Sequence, residues 1–217
     1  EEKVATPAIA AVLIVAGYGT YKFAIIEDIW DVSQSSRLVM LVTFLATLTL
    51  EIQEAVFVGI VLSILDYVYT SAQDVRVVEL VEEREGVLVE RPCPAEPADN
   101  NVTILSAWGA MFFASARTIE DLLPKADRAK RAVVILRLRG RSRIGSTFLQ
   151  ILERYATKLQ ANGGKLVLSG VSQHVWKQLE RTETFETIPQ EDVFLATDAL
   201  GGSTLEALSA AEEWLRD

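Results

Sequence analysis

The sequence predicts membrane α-helical segments followed by a small α/β domain, a mixed sheet flanked by helices. Three observations lead there. Apolar residues crowd into Val4–Thr70, while most of the charge lies beyond. Inside that block the runs are apolar all round, the pattern of helices that meet no water. From Asp74 onward, short apolar strands alternate with stretches that carry a single apolar stripe, which is the pattern of an α/β layer. The boundary falls between residues 72 and 73, giving a helical region over 1–72 and an α/β domain over 73–217.

Composition narrows the function. The chain has 217 residues, 21 Lys+Arg against 30 Asp+Glu, and a mean hydropathy of +0.23. An acidic balance disfavours nucleic acid as a partner, because phosphate backbones are held by cations. Cys93 is the single cysteine and His174 the single histidine. One cysteine excludes an internal disulfide, and a Cys/His zinc cluster cannot be built. No cofactor or metal is therefore expected. The chain begins E-E-K-V, with no basic segment before its first apolar run, so the start is read as the inside of something larger.

The first apolar run, Pro7–Tyr21, carries no charge between Lys3 and Lys22. It is slightly short of the ~20 residues that cross a bilayer. The acidic connector Glu27–Arg37 holds Trp30, a residue type common at membrane interfaces. Leu38–Leu50 and Ala55–Thr70 then flank Glu51-I-Q-E54. A single helix over both runs would be about 50 Å long and would put two carboxylates in mid-membrane. A tight hairpin with E-I-Q-E at its turn avoids this, each arm being shorter than a normal span. Asp66, beside Tyr67 and Tyr69, reads as an interfacial residue at the helix end, with an ion-pathway carboxylate as the alternative.

In the second region, residues 75–81 and 87–89 read as a hairpin of two strands around Glu82-E-R-E-G86. Arg91–Asn100 is a Pro-rich linker, and Cys93 within it is expected to be a plain exposed residue with no activating base nearby. Val102–Ala107 is a strand, Thr118–Ala129 a helix with Ile119, Leu122, Leu123 and Ala126 on one face, and Ala132–Arg139 a strand buried on both faces. Ser146–Ala161 is a helix striped by Phe148, Leu152, Tyr155 and Leu159, stopped by Asn162-Gly163-Gly164. Lys165–Ser169 is a strand, Ser172–Arg181 a helix, Val193–Thr197 a short strand and Leu205–Leu215 a closing helix. His174 and Trp176 are expected to be ordinary surface and core residues.

This order resembles the C-terminal end of a SulP (sulfate permease) anion transporter, its last membrane helices and STAS domain. Gly109-A-M-F-F-A-S-A116 is similar to the family's G-x-L-F-F-A-N-A, and Gly164-K-L-V-L-S-G-V171 to its next strand and turn. Val134-I-L-R-L-R-G140 with Ile144-G-S-T147 is similar to a strand and loop ending I-D-S-T-G or I-D-A-T-G. Arg37-L-V-M-L-V-T-F-L-A-T and Val58-G-I-V-L-S-I-L resemble the last two membrane helices.

The resemblance implies a secondary active transporter of sulfate, bicarbonate or dicarboxylates, working by symport or exchange. It also implies a homodimer, multi-pass in the inner (plasma) membrane, with the lipid bilayer around 1–72 and a cytoplasmic STAS domain. That domain would serve regulation, folding and dimerisation. The family's substrate site lies between earlier helices, so no substrate-binding residue is expected in this chain, and no catalytic residue either. The connector 22–37 would then face the cytoplasm and the E-I-Q-E turn outward. The alternative is a membrane-anchored STAS signalling module that binds a kinase or anti-sigma partner.

Three readings compete for the loop R-S-R-I-G-S-T-F-L-Q, residues 141–150. Ser146 would cap the helix that it opens. Arg139, Arg141 and Arg143 would form a docking surface for a partner or for the membrane region, with those beyond Gly140 in loop and solvated. Ser146, with Thr147 beside it, would be a regulatory phospho-acceptor, as in soluble STAS regulators. Against the last, Gly145 stands where the signalling pattern has aspartate, and Phe148 where it has glycine.

Overall fold

The computed structural model describes residues 2–20, 34–84 and 87–217, with side chains for all of these but 2–6 and 20. Most of the connector Glu27–Arg37, Trp30 included, lies outside the described residues, as do the last two residues of the Glu82–Gly86 turn. The chain divides into two units, Glu1–Tyr67 and Val68–Asp217.

The first unit is helical. Helix α1 spans Glu2–Thr20, α2 Gln34–Thr49, and α3 starts at Ile52 and runs to Gln73. Two residues, Leu50 and Glu51, separate α2 from α3. The expected hairpin forms: a Cβ placed on Gly59 would lie 2.8 Å from Thr43 Cγ2, an approach impossible in one continuous helix. The expectation of two short arms is corrected. Helix α3 has 22 residues and is long and apolar enough to cross a membrane, because it starts inside E-I-Q-E and continues beyond Thr70. Leu13, Val15, Leu48, Phe57 and Leu65 on these helices all have more than half of their surface exposed.

The second unit is a six-stranded sheet in the order β2-β1-β3-β4-β5-β6. The strands are β1 (Arg76–Arg84), β2 (Val87–Pro92), β3 (Val102–Trp108), β4 (Val133–Arg137), β5 (Lys165–Val171) and β6 (Val193–Leu195). Strand β1 is antiparallel to both β2 and β3, while β3 to β6 run parallel, so the sheet is mixed. Helices α4 (Phe113–Leu122), α5 (Ser146–Ala161), α6 (Gln173–Arg181) and α7 (Gly202–Arg216) complete the unit.

The period-2 alternation of the strands divides the core between two faces. Leu105, Val134, Leu136, Leu166 and Leu168 pack with Ile119, Phe148, Leu152, Val175 and Leu179 of α4, α5 and α6. Ile104, Val133, Ile135 and Val167 point the other way, toward Ala207 and Ala211 of α7. Helix α5 has the predicted span and stripe, and it ends in a Schellman turn. Gly163 (φ +73) donates to Gln160 and Gly164 donates to Leu159.

Three expectations move. Helix α4 begins at Phe113 and stops at Leu122, not Thr118 to Ala129. Its start is set by the Ser115 hydroxyl, which accepts from Phe112 N at 3.1 Å and donates to the Ala110 carbonyl. Its stop is set by Pro124, which forces Leu123 into extended backbone (φ −68, ψ 143). The linker 91–100 is pinned to the domain, with Pro97 buried, Lys125 N donating to Ala95 O (2.8 Å) and Lys130 N to Asp99 Oδ1 (2.7 Å). Cys93 is half-buried against the core, its thiol 3.5 Å from Leu122 O.

Candidate functional site

Parallel strands β3, β4 and β5 all end at the same edge of the sheet, where open α/β sheets usually bind ligands. Here the loops that leave those ends are stitched together by arginines. The spacing Arg137, Arg139, Arg141 starts as strand alternation. Gly140 (φ +81) then turns the chain, with Arg141 N donating to Leu138 O at 3.2 Å.

Arg137 Nη2 donates to Leu200 O at 2.9 Å. Arg139 Nη1 donates to the carbonyls of Thr197 and Ala199, each at 2.9 Å. Arg141 turns the opposite way, donating to Ala107 O at 2.9 Å and to Gly109 O. A guanidinium has five donors in a fixed fork, so each can hold carbonyls of the loops and of a strand end. Burial lowers the pKa of Arg137, with the Arg139 charge adding to the effect, and burial alone lowers that of Arg141. Arg137 Nε is buried with no hydrogen-bond partner.

Arg139 and Arg141 are thus partly buried and committed to carbonyls of their own domain, so Arg141 is not the solvated loop residue expected. Arg143 alone of the three is exposed. Gly109 (φ +92) makes the β3 exit possible: a Cβ there would lie 2.2 Å from Asp74 O.

Ser146 is not the helix cap. Gly145 occupies the N-cap position, in extended conformation (φ −70, ψ 149), with no side-chain cap. Ser146 and Thr147 fall inside the first turn and are exposed. A hydroxyl at the first helical position points away from the free amides that a residue one step earlier could reach. The following helix is capped as such serines usually do it: Ser172 Oγ accepts from Val175 N at 3.3 Å.

Sequence reasoning missed Gln178. Its side chain brackets Ile144, accepting from Ile144 N at 3.3 Å and donating to Ile144 O, and so fixes the loop 142–144 against α6. A glutamine on a polar helix face carries no signal of such a contact in the sequence. His174 is exposed, and Trp176 packs on Phe185 at a centroid distance of 5.0 Å. Burial, with the Glu79 charge contributing, pushes the Cys93 thiol up to about 11. Among the described residues no cluster of His, Cys, Asp and Glu could hold a metal ion.

The protein-family model for the STAS domain matches residues 94–199. The fold is similar to the murine Solute Carrier 26 family member A9 (Slc26a9) anion transporter in the inward-facing state, with a TM-score of 0.61 at 16% identity. That match covers 85% of this chain and 30% of the other. A second structure of SLC26A9 matches with a TM-score of 0.64 at 15% identity, over 88% of this chain and 33% of that one. A sulfate transporter family protein from Wolinella succinogenes is 27% identical, with a TM-score of 0.42, over 54% of this chain and 88% of its own. No curated protein matches the sequence. The chain spans about a third of the length of the SLC26A9 structures that it matches. Residues 94–199 thus match the STAS domain model, and the fold of the chain is similar to that of part of the SLC26A9 structures.

Proposed function

We propose that the chain is the C-terminal part of a secondary active anion transporter of the SulP type, with gate-region membrane helices in 1–72 and a cytoplasmic STAS domain in 73–217. The observation that carries this reading is the order of parts. A 22-residue apolar helix leads directly into the first strand of an α/β unit that contains a STAS domain. The solved neighbour with the same fold over 85% of this chain is described as an anion transporter. The exposed apolar surface of α1, α2 and α3 is what lipid would cover.

In this reading the substrate is a small anion such as sulfate, bicarbonate or a dicarboxylate, bound by parts of the transporter outside this chain. The STAS domain serves regulation, folding and assembly of a homodimer in the plasma membrane. The exposed Ser146 and Thr147 stand where a kinase could reach them, and exposed Arg143 remains available for docking. The reading is tested by uptake of radiolabelled sulfate, bicarbonate and dicarboxylates into liposomes that hold the complete transporter. Uptake of at least one anion, saturable and competed by the unlabelled species, is expected. No uptake of any, together with capture of a kinase by the STAS domain, would replace this reading by a membrane-anchored signalling module.

A further inference from the structure

We infer that the groove between the 142–144 loop and α6 is a binding site for a phosphate monoester. The groove is lined by Ser142, Arg143, His174, Lys177, Gln178 and Arg181, with no carboxylate among them. At 3.6 residues per turn, His174, Lys177, Gln178 and Arg181 fall within an arc of ~100° on α6. Glu180, the one carboxylate of this helix, lies outside that arc. The opposite side of the helix buries Val175 and Leu179, so the stripe is held outward. Arg143 joins it from a separate element, and it is kept there by Gln178, which hydrogen-bonds both backbone groups of the next residue, Ile144.

Three permanent cations thus converge from two elements. Elsewhere in the domain Arg154, Lys158, Lys165 and Arg216 face carboxylates, at Glu120, Asp127, Asp192 and Glu212. Among the described residues, Arg143, Lys177 and Arg181 form no ion pair, as is also true of several other surface cations. What sets these three apart is that they line one groove without a carboxylate. Like charges at i and i+4 on one helix repel, so the Lys177–Arg181 pair is unfavourable until an anion sits between them. In a chain of net charge −9, a groove free of carboxylates is a local reversal of sign. A phosphate monoester offers close to two negative charges and three acceptor oxygens, which suits two guanidinium forks, one ammonium and the Ser142 hydroxyl. The groove opens to solvent, so the organic part of the ester extends outward. It can be a small soluble molecule or the glycerol of an anionic lipid.

This site is separate from the transported anion of the preceding section, and phosphorus NMR tests it without any transport readout. The whole chain is placed in phosphatidylcholine nanodiscs and titrated with glycerol 3-phosphate. In a second arm the nanodiscs contain phosphatidic acid, and its headgroup resonance is followed. Shift or broadening in either arm is expected, with the dissociation constant weakened about tenfold or more in Arg143→Gln/Arg181→Gln. Arg154→Gln, a surface cation outside the groove, should leave binding unchanged. Response to glycerol 3-phosphate alone assigns a soluble ester, and response of phosphatidic acid alone assigns a lipid headgroup. All three substituted side chains are surface groups, so the thermal unfolding curve should be unaltered. No response in either arm, or an equal response in the double variant, overturns the proposal.

Discussion

Phe57 and Phe148 are the same side chain in opposite surroundings. On α3, Phe57 has 67% of its surface exposed, in company with Ile60, Ile64 and Leu65. On α5, Phe148 is 0% exposed, enclosed by Leu105, Leu136 and Ile119. Both helices are rich in apolar residues, yet only α5 restricts them to one stripe, and that stripe meets a sheet. Helix α3 spreads its apolar residues around its circumference, and Val56, Phe57, Ile60, Ile64 and Leu65 are exposed. Such a helix is long and apolar enough to cross a membrane. The comparison teaches that the placement of apolar residues, more than their number, separates what the protein packs from what it leaves exposed.

Breaking the comparison at its core should have the largest effect. Phe148→Ala is expected to cost about 3–5 kcal/mol and to unfold much of the α/β unit, read by chemical denaturation. The same substitution at Phe57 should leave that transition in place and change insertion by only about 0.3–0.6 kcal/mol. Next comes Gly109→Ala, where a positive φ and the Asp74 carbonyl leave no room for a methyl. A loss of about 1–3 kcal/mol from backbone strain alone is expected, with the clash adding to it. A transition equal to the parent's would show that the β3 exit relaxes freely.

Arg141→Met keeps the stem and removes the donors to Ala107 and Gly109. It should cost about 1.5–3 kcal/mol and speed amide exchange in the 109–112 loop. Unchanged exchange there would mean that the arginine only fills space.

The smallest effect is chemical. Because burial raises the Cys93 pKa to about 11, the folded domain keeps its thiol proton at a pH where the unfolded chain has lost it. The associated stability is therefore present below ~8.5 and disappears as pH rises through about 11. Alkylation of Cys93 at neutral pH should be slow in the folded protein and fast in denaturant. Equal rates would contradict the burial.

The strand and helix layout of the second unit was legible because periodicity is local. Phe148, Leu152, Tyr155 and Leu159 announce one face of α5, and all four are buried there. The run V-V-I-L announces a strand covered on both sides, as β4 is. A helix break at E-I-Q-E was expected from the cost of carboxylates in a membrane, and the break lies at its leading edge, at Leu50–Glu51. The site was legible only as a location. That Ser146–Thr147 opens a helix could be read from its neighbours; that Gly145 does the capping could not, because the two positions differ by one residue of backbone geometry.

By itself the sequence determined where apolar surface lies and with what period, and therefore an apolar helical region ahead of a mixed-sheet domain. Only the tertiary structure decided what the polar side chains do. The carbonyls that hold Arg137 and Arg139 lie 58 to 63 residues away, at Thr197, Ala199 and Leu200. Arg143 meets Lys177 and Arg181 only because Gln178 ties their elements together. A hydrophobic stripe is written in neighbouring residues, whereas a hydrogen bond depends on the direction of one distant atom, and that direction exists only after the chain has folded.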